Sequence, residues 1–259
     1  KGGVGKSTTA VNLTLALQVE GARVGLLDAD IYGPSQALML GVQGQRPETP
    51  DGKSFNPVVA HGIPVMSMAF LLTERSPTIW RGPMVSGAFT QMLRQTNWGN
   101  LDYLVIDLPP GTGDIQLTLS QQVPVNGAVV VTTPQDIALL DARRGIEMFR
   151  RVAVPVLGVI ENMSLHRCSK CGHTEHLFGE GGGDRIAAEY DTELLGALPL
   201  DLSIRQQTDI GKPSVISDPD GVIAQSYRDI ARRTAARLAL FAEHNGSSNL
   251  ITKIQGTDE

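Results

Sequence analysis

Lys1-Gly2-Gly3-Val4-Gly5-Lys6-Ser7-Thr8, the first eight residues, hold everything after the leading glycine of the phosphate-binding pattern G-x-x-x-x-G-K-[ST]. In this pattern the glycines let successive backbone N–H groups, here from Gly2 to Thr8, converge on phosphate oxygens. Lys6 brings a positive charge to the outer phosphates, and Ser7 offers a hydroxyl to magnesium at a helix N-terminus. The apolar spacing Ala10, Leu13, Leu17 supplies the helix that must follow. The pattern also needs a strand before it, so the natural chain is expected to begin upstream of Lys1.

Outward from this loop, short apolar runs alternate with helix-length segments, as in βαβ units. Strands are predicted over Arg23–Asp28, Ile63–Met68, Tyr103–Asp107, Ala128–Thr132, Val156–Glu161 and Leu194–Leu198. Helices are predicted over Ser7–Glu20, Val85–Gln95, Ile115–Gln121, Ala138–Arg150, Asp184–Tyr190 and Val222–Glu243. Several of the runs are apolar on both faces, which implies an α/β fold: a parallel β-sheet flanked by helices on both faces. The Gly- and Pro-bearing stretch Gly41–His61 reads as a long loop. One ATPase domain is expected over residues 1–244, with a Cys-x-x-Cys insertion near 163–180 and a disordered polar tail over 245–259.

With 259 residues, 41% of them hydrophobic, the chain suits one sizeable α/β domain. Its net charge of −5 and scattered basic residues argue against a nucleic-acid surface. No apolar run approaches a membrane span, and the tail lacks an amphipathic stripe, so no membrane partner is expected. The two cysteines, Cys168 and Cys171, are too few for a disulfide scaffold, and cytoplasmic residence is the expectation.

In open α/β sheets ligands bind beyond the carboxyl ends of strands, and two predicted strands end in acids there. Asp107 closes Tyr-Leu-Val-Ile and is the candidate for holding a magnesium-bound water opposite Ser7. Asp30, two residues past Asp28, is the candidate for orienting or deprotonating an attacking water. Asp114 reads as the N-cap of the helix that follows it. Gly111 is placed to sense a γ-phosphate, since glycine permits close backbone approach.

Taken together, the motifs Lys1–Thr8, Asp28-Ala-Asp30-Ile-Tyr-Gly-Pro-Ser35, Asp107-Leu-Pro-Pro-Gly-Thr-Gly-Asp114, Glu161-Asn-Met-Ser164 and Cys168-Ser-Lys-Cys171 resemble the Mrp/ApbC family of iron-sulfur cluster carrier ATPases over nearly the whole chain. The chain is more distantly similar to septum-site and plasmid-partition ATPases and to the nitrogenase iron protein, which share a deviant P-loop with an extra lysine. The resemblance implies that Lys1 reaches across a nucleotide-sandwiched homodimer to the partner's phosphates, as an arginine finger does. It also implies adenine recognition by Asn162 and by the Pro199-Leu200-Asp201 turn, ATP/ADP and Mg2+ as ligands, and apo iron-sulfur proteins and cluster-assembly scaffolds as partners.

The cysteine pair decides the narrower function. A Cys-x-x-Cys turns two thiolates toward one metal, whereas a [4Fe-4S] cluster takes four. If a cluster binds, two chains must share it across a two-fold axis, in keeping with the dimer implied by Lys1. Three alternatives stand beside it: zinc closed within one chain by Cys168, Cys171 and two of His166, His173 and His176; a redox dithiol; and two inert buried cysteines. Many relatives carry proline after the first cysteine, where this chain has Ser169; serine keeps the spacing and removes a rigid turn. A rival of another class is an ATP-dependent positioning or partition switch. It should carry a basic amphipathic helix or a basic stripe, and the chain shows neither.

Overall fold

A computed structural model describes residues 2–71, 82–111, 116, 123 and 125–244. Lys1, Asp114, the tail 245–259 and, apart from Gln116, the helix predicted over Ile115–Gln121 lie outside the described residues. No described helix is long and apolar enough to cross a membrane.

Two sheets frame the molecule. The first has the order β2-β3-β1-β4, from β1 (Val24–Asp28), β2 (Val58–Ala60), β3 (Ile63–Ser67) and β4 (Tyr103–Asp107). β1 is parallel to β3 and to β4, and β2 runs antiparallel on the β3 edge. The second has the order β5-β6-β9, all parallel, from β5 (Ala128–Thr132), β6 (Val156–Glu161) and β9 (Leu194–Ala197). A two-rung ribbon, β7 (His166–Arg167) against β8 (Thr174–Glu175), stands apart.

Successive residues of each strand enter different cores. Leu26, Val65, Val105, Val129 and Ile160 share a cluster with Leu13 and Leu17 of α1 (Lys6–Val19) and Tyr227 and Ile230 of the last helix, α9 (Val222–His244). Their neighbours Leu27, Met66 and Leu104 pack with Phe89 and Met92 of α4 (Gly82–Arg94). Val130 and Val159 meet Leu139 and Ile146 of α5 (Asp136–Arg151) and Ile186 of α6 (Gly182–Glu189). Alternation into two apolar layers is what buried parallel strands require, and helices cover both faces as expected. Leu26, Leu27, Val65 and Met66 have no exposed surface, each such side chain contributing roughly 1.5–3 kcal/mol.

The stretch Gly41–His61 departs from the loop reading, because its end forms β2. Ala60 pairs with Ile63 across a turn in which His61 (φ 48°) and Gly62 (φ 82°) both take left-handed backbone, the geometry a two-residue hairpin demands. Four short helices also escape the periodicity: α2 (Gln36–Met39), α3 (Met68–Leu71), α7 (Leu202–Asp209) and α8 (Ser214–Ser217).

Candidate functional site

The carboxyl ends of β3, β1 and β4 set Ser67, Asp28 and Asp107 side by side in register. Facing them is the phosphate-loop sequence. Gly3 and Gly5 both adopt φ 87°, and Gly5 caps α1. Alternating left-handed glycines turn backbone N–H groups to one side and form an anion nest, which the positive end of α1 reinforces. Val4 is buried between them. A Cβ on Gly5 would stand 2.2 Å from Asn162 Nδ2, so both backbone and packing demand glycine there. Gly2 is exposed, and Thr8 lies in the first turn of α1.

Lys6, Ser7 and Asp107 form one cluster. Ser7 hydrogen-bonds to the Asp107 carboxylate, and burial holds that carboxyl above its usual range despite this bond, one from Gln36 and the charge of Lys6. Burial lowers the Lys6 ammonium pKa against the opposing pull of Asp107 and Asp30. Asp28 has no exposed surface; burial, then the nearby Asp107, pushes its carboxyl up to about 7. Its Oδ2 accepts from Ser67 Oγ at 2.9 Å and from the Ser35 and Gln36 N–H groups at 3.1 Å, fixing the loop between β1 and α2. Asp30 tightens that loop, with Oδ1 accepting from Tyr32 N–H at 3.1 Å and Gly33 N–H at 3.2 Å. The Asp107 carboxylate beside the Ser7 hydroxyl is a pair of hard oxygen donors of the kind that suits magnesium.

The sheet's other half supplies Asn162, just past β6. Its Nδ2 donates to Val4 O at 2.9 Å and its backbone N–H to Thr132 O at 2.7 Å. The Asn162 amide thus ties the phosphate loop to β6. Asp201 caps α7, accepting from Ser203 N–H at 2.8 Å, and Pro199 leads into that cap. Gly111 has φ 106° and is exposed, and a Cβ placed there would lie 3.4 Å from Gln116 Nε2.

The cysteines sit in the turn of the β7–β8 ribbon. Cys168 N–H donates to His173 O at 2.8 Å, and Gly172 N–H returns to Cys168 O at 2.9 Å, with Gly172 at φ 73°. Both thiols are free; Cys168 is half-buried and Cys171 exposed. Hydrogen bonds from the Cys171 and Lys170 N–H groups, then from the Cys171 side chain, lower the Cys168 pKa, aided by nearby His166. Amides aimed at sulfur stabilise a thiolate, the form that ligates metal. This disposes of inert burial, and the setting is a ribbon turn rather than the helix start of a dithiol oxidoreductase.

His166, His173 and His176 each have a ring nitrogen engaged by a partner other than the cysteines. His166 Nδ1 lies 3.1 Å from Leu200 O, His176 Nδ1 lies 2.8 Å from Ser164 O, and His173 Nε2 lies 3.4 Å from Glu175. Among the described residues no group of three or more His, Cys, Asp or Glu side chains gathers where a metal ion could be held. Zinc closed within one chain therefore lacks its third and fourth ligands in this arrangement.

A family model described as ParA, NUBPL iron-transfer P-loop NTPase, matches residues 1–235. The iron-sulfur cluster carrier protein of Pseudomonas fragi is 65% identical over 232 residues, which cover 89% of this chain and 81% of that protein. Its counterpart in Escherichia coli K12 is 59% identical over 92% of this chain, which spans only 64% of that protein's length. The mouse iron-sulfur cluster transfer protein NUBPL is 52% identical over 92% of this chain and 75% of its own length. Among solved structures, a nucleotide-binding protein from Archaeoglobus fulgidus in complex with ADP superposes with a TM-score of 0.75 at 36% identity, over 88% of this chain and 86% of that one. The septum site-determining protein MinD of Pyrococcus horikoshii with Mg-ADP gives 0.66 at 22% identity over 94% and 96%, a likeness of fold alone.

Proposed function

Since the chain belongs to the ParA/NUBPL family of iron-transfer P-loop NTPases, we propose that it binds and hydrolyses ATP and carries a [4Fe-4S] cluster, shared by two chains, to apo-proteins. The observation that carries this reading is the shared strand end. Asn162 holds the phosphate loop through Val4, and six residues further on the same backbone reaches Cys168, whose thiolate is favoured by turn amides.

The N–H groups of residues 2–8 and the Lys6 ammonium bind the phosphates and neutralise charge that grows on the transferring phosphoryl group. Ser7 Oγ and, through a water, Asp107 would hold magnesium, whose charge supports the same oxygens. Asp30 orients the attacking water or takes its proton as the bond to the leaving ADP breaks. Lys1 acts on the partner's phosphates, Gly111 senses the γ-phosphate, and Asn162 with the Pro199–Asp201 turn contacts adenine. Cys168 and Cys171 of each chain supply half of the four thiolates that a [4Fe-4S] cargo takes.

Two measurements test the reading. Lys6→Ala should abolish phosphate release from ATP, and normal turnover by that variant would overturn the ATP-site assignment. Anaerobic reconstitution of the full-length protein with iron and sulfide should give about four irons and four sulfides per two chains, lost in a Cys168→Ala/Cys171→Ala control. About one tightly held zinc per chain and no stable iron would reject the cluster cargo.

A further inference from the structure

Ser7 and Asp107 are joined by a third side chain that belongs to no phosphate-binding motif. Gln36, the first residue of α2, has no exposed surface. Its Nε2 donates to Ser7 O at 3.0 Å and to Asp107 Oδ2 at 2.8 Å, while its backbone N–H donates to Asp28 Oδ2 at 3.1 Å. Both Nε2 partners are acceptors, which determines the orientation of the amide: nitrogen toward them, oxygen away. That oxygen, Oε1, is buried and has no donor among the described residues. The side-chain amide is thus held through its nitrogen alone, by one bond to the phosphate loop and one to Asp107.

Magnesium demands near-ideal octahedral geometry, so a carboxylate that supports it must be held in one place. We propose that Gln36 is a positioning residue of the nucleotide site. Nε2 holds the Asp107 carboxylate against the phosphate loop, in place for the divalent cation that accompanies the nucleotide. Gln36 thereby joins the loop between β1 and α2 to the metal side of the phosphates, and its contribution depends on the cation. This inference rests on the nucleotide reading above.

The test is the affinity of the full-length protein for a fluorescent ADP analogue, measured with saturating Mg2+ and again with EDTA. Gln36→Met keeps the bulk and loses both polar atoms. It should weaken binding about tenfold more with Mg2+ than in EDTA. Equal weakening in both buffers, the signature of a merely structural role, would overturn the proposal, as would no weakening at all. Gln36→Glu keeps the shape but sets an acceptor oxygen against Asp107 Oδ2, so it should raise the Mg2+ concentration giving half of the full effect; no rise would overturn the proposal. If melting curves show that the Met variant does not fold, the Glu variant decides. Wild-type protein that binds no ADP in either buffer would sink the nucleotide reading, and the role of Gln36 with it.

Discussion

Gly5 shows how tightly one residue can be specified. Its φ of 87° and the 2.2 Å gap from a hypothetical Cβ to Asn162 Nδ2 penalise any side chain twice. Gly5→Ala should cost roughly 1–3 kcal/mol and abolish ADP binding, as checked by thermal melting and nucleotide titration. Cys168 is specified for a different reason: its backbone N–H holds the ribbon turn whatever the side chain. Cys168→Ala should therefore lose iron and sulfide while stability stays within about 0.5 kcal/mol, measured by chemical denaturation. The phosphate loop, Asp107 and the cysteine pair were legible in the sequence because each sits in a short pattern with a chemical reason. Gln36 was not, since a glutamine after Pro34-Ser35 has no signature of its own. Its meaning comes from folding it against Ser7 and Asp107, the latter 71 positions away.

Elements with a long apolar run were read nearly to the residue. Tyr103–Asp107, Ala128–Thr132 and Val156–Glu161 match the predicted bounds because each run is almost wholly apolar and ends in a polar residue. The short elements were invisible because they are held by tertiary bonds. The β7–β8 ribbon depends on the Cys168–His173 turn, and α2 depends on the Asp28 carboxylate receiving its first N–H groups. Contacts between elements give two further expectations. A Cβ on Gly196 of β9 would meet Ile230 Cγ1 at 2.6 Å, so Gly196→Ala should push α9 away and cost about 1–3 kcal/mol in denaturant unfolding. At the far end of α1, Glu20 accepts from Arg228 at 2.6 Å and Arg232 at 2.9 Å, and these bonds hold its carboxyl below the ordinary value near 4.5. A depressed folded pKa means that the unfolded chain takes up the proton first. The stability from this tie is thus full above the ordinary value and lost as pH falls through the folded one. Glu20→Gln should cost no more than about 1 kcal/mol at neutral pH and flatten the acid side of the melting-temperature profile.

At the scale of the whole molecule, the two-layered core and the row of acids at the strand ends follow from alternating burial along each strand. The division into two sheets, with an antiparallel strand at one edge, does not, because periodicity reports which residues are buried and not which strands are neighbours. The proposed cargo is likewise a property of the assembly. If two chains share a [4Fe-4S] cluster, as proposed above, removing it with a chelator should weaken self-association, read by light scattering of loaded and stripped protein. The tie between Asn162 and Val4 has an optical consequence as well. Six residues of extended chain span at most about 20 Å, so a fluorophore on a nucleotide seated beside Asn162 would lie close to the broad visible absorption of an iron-sulfur chromophore at Cys168. Its emission would dim as cargo is loaded and brighten as cargo leaves, so delivery could be followed in real time from the light of the other ligand.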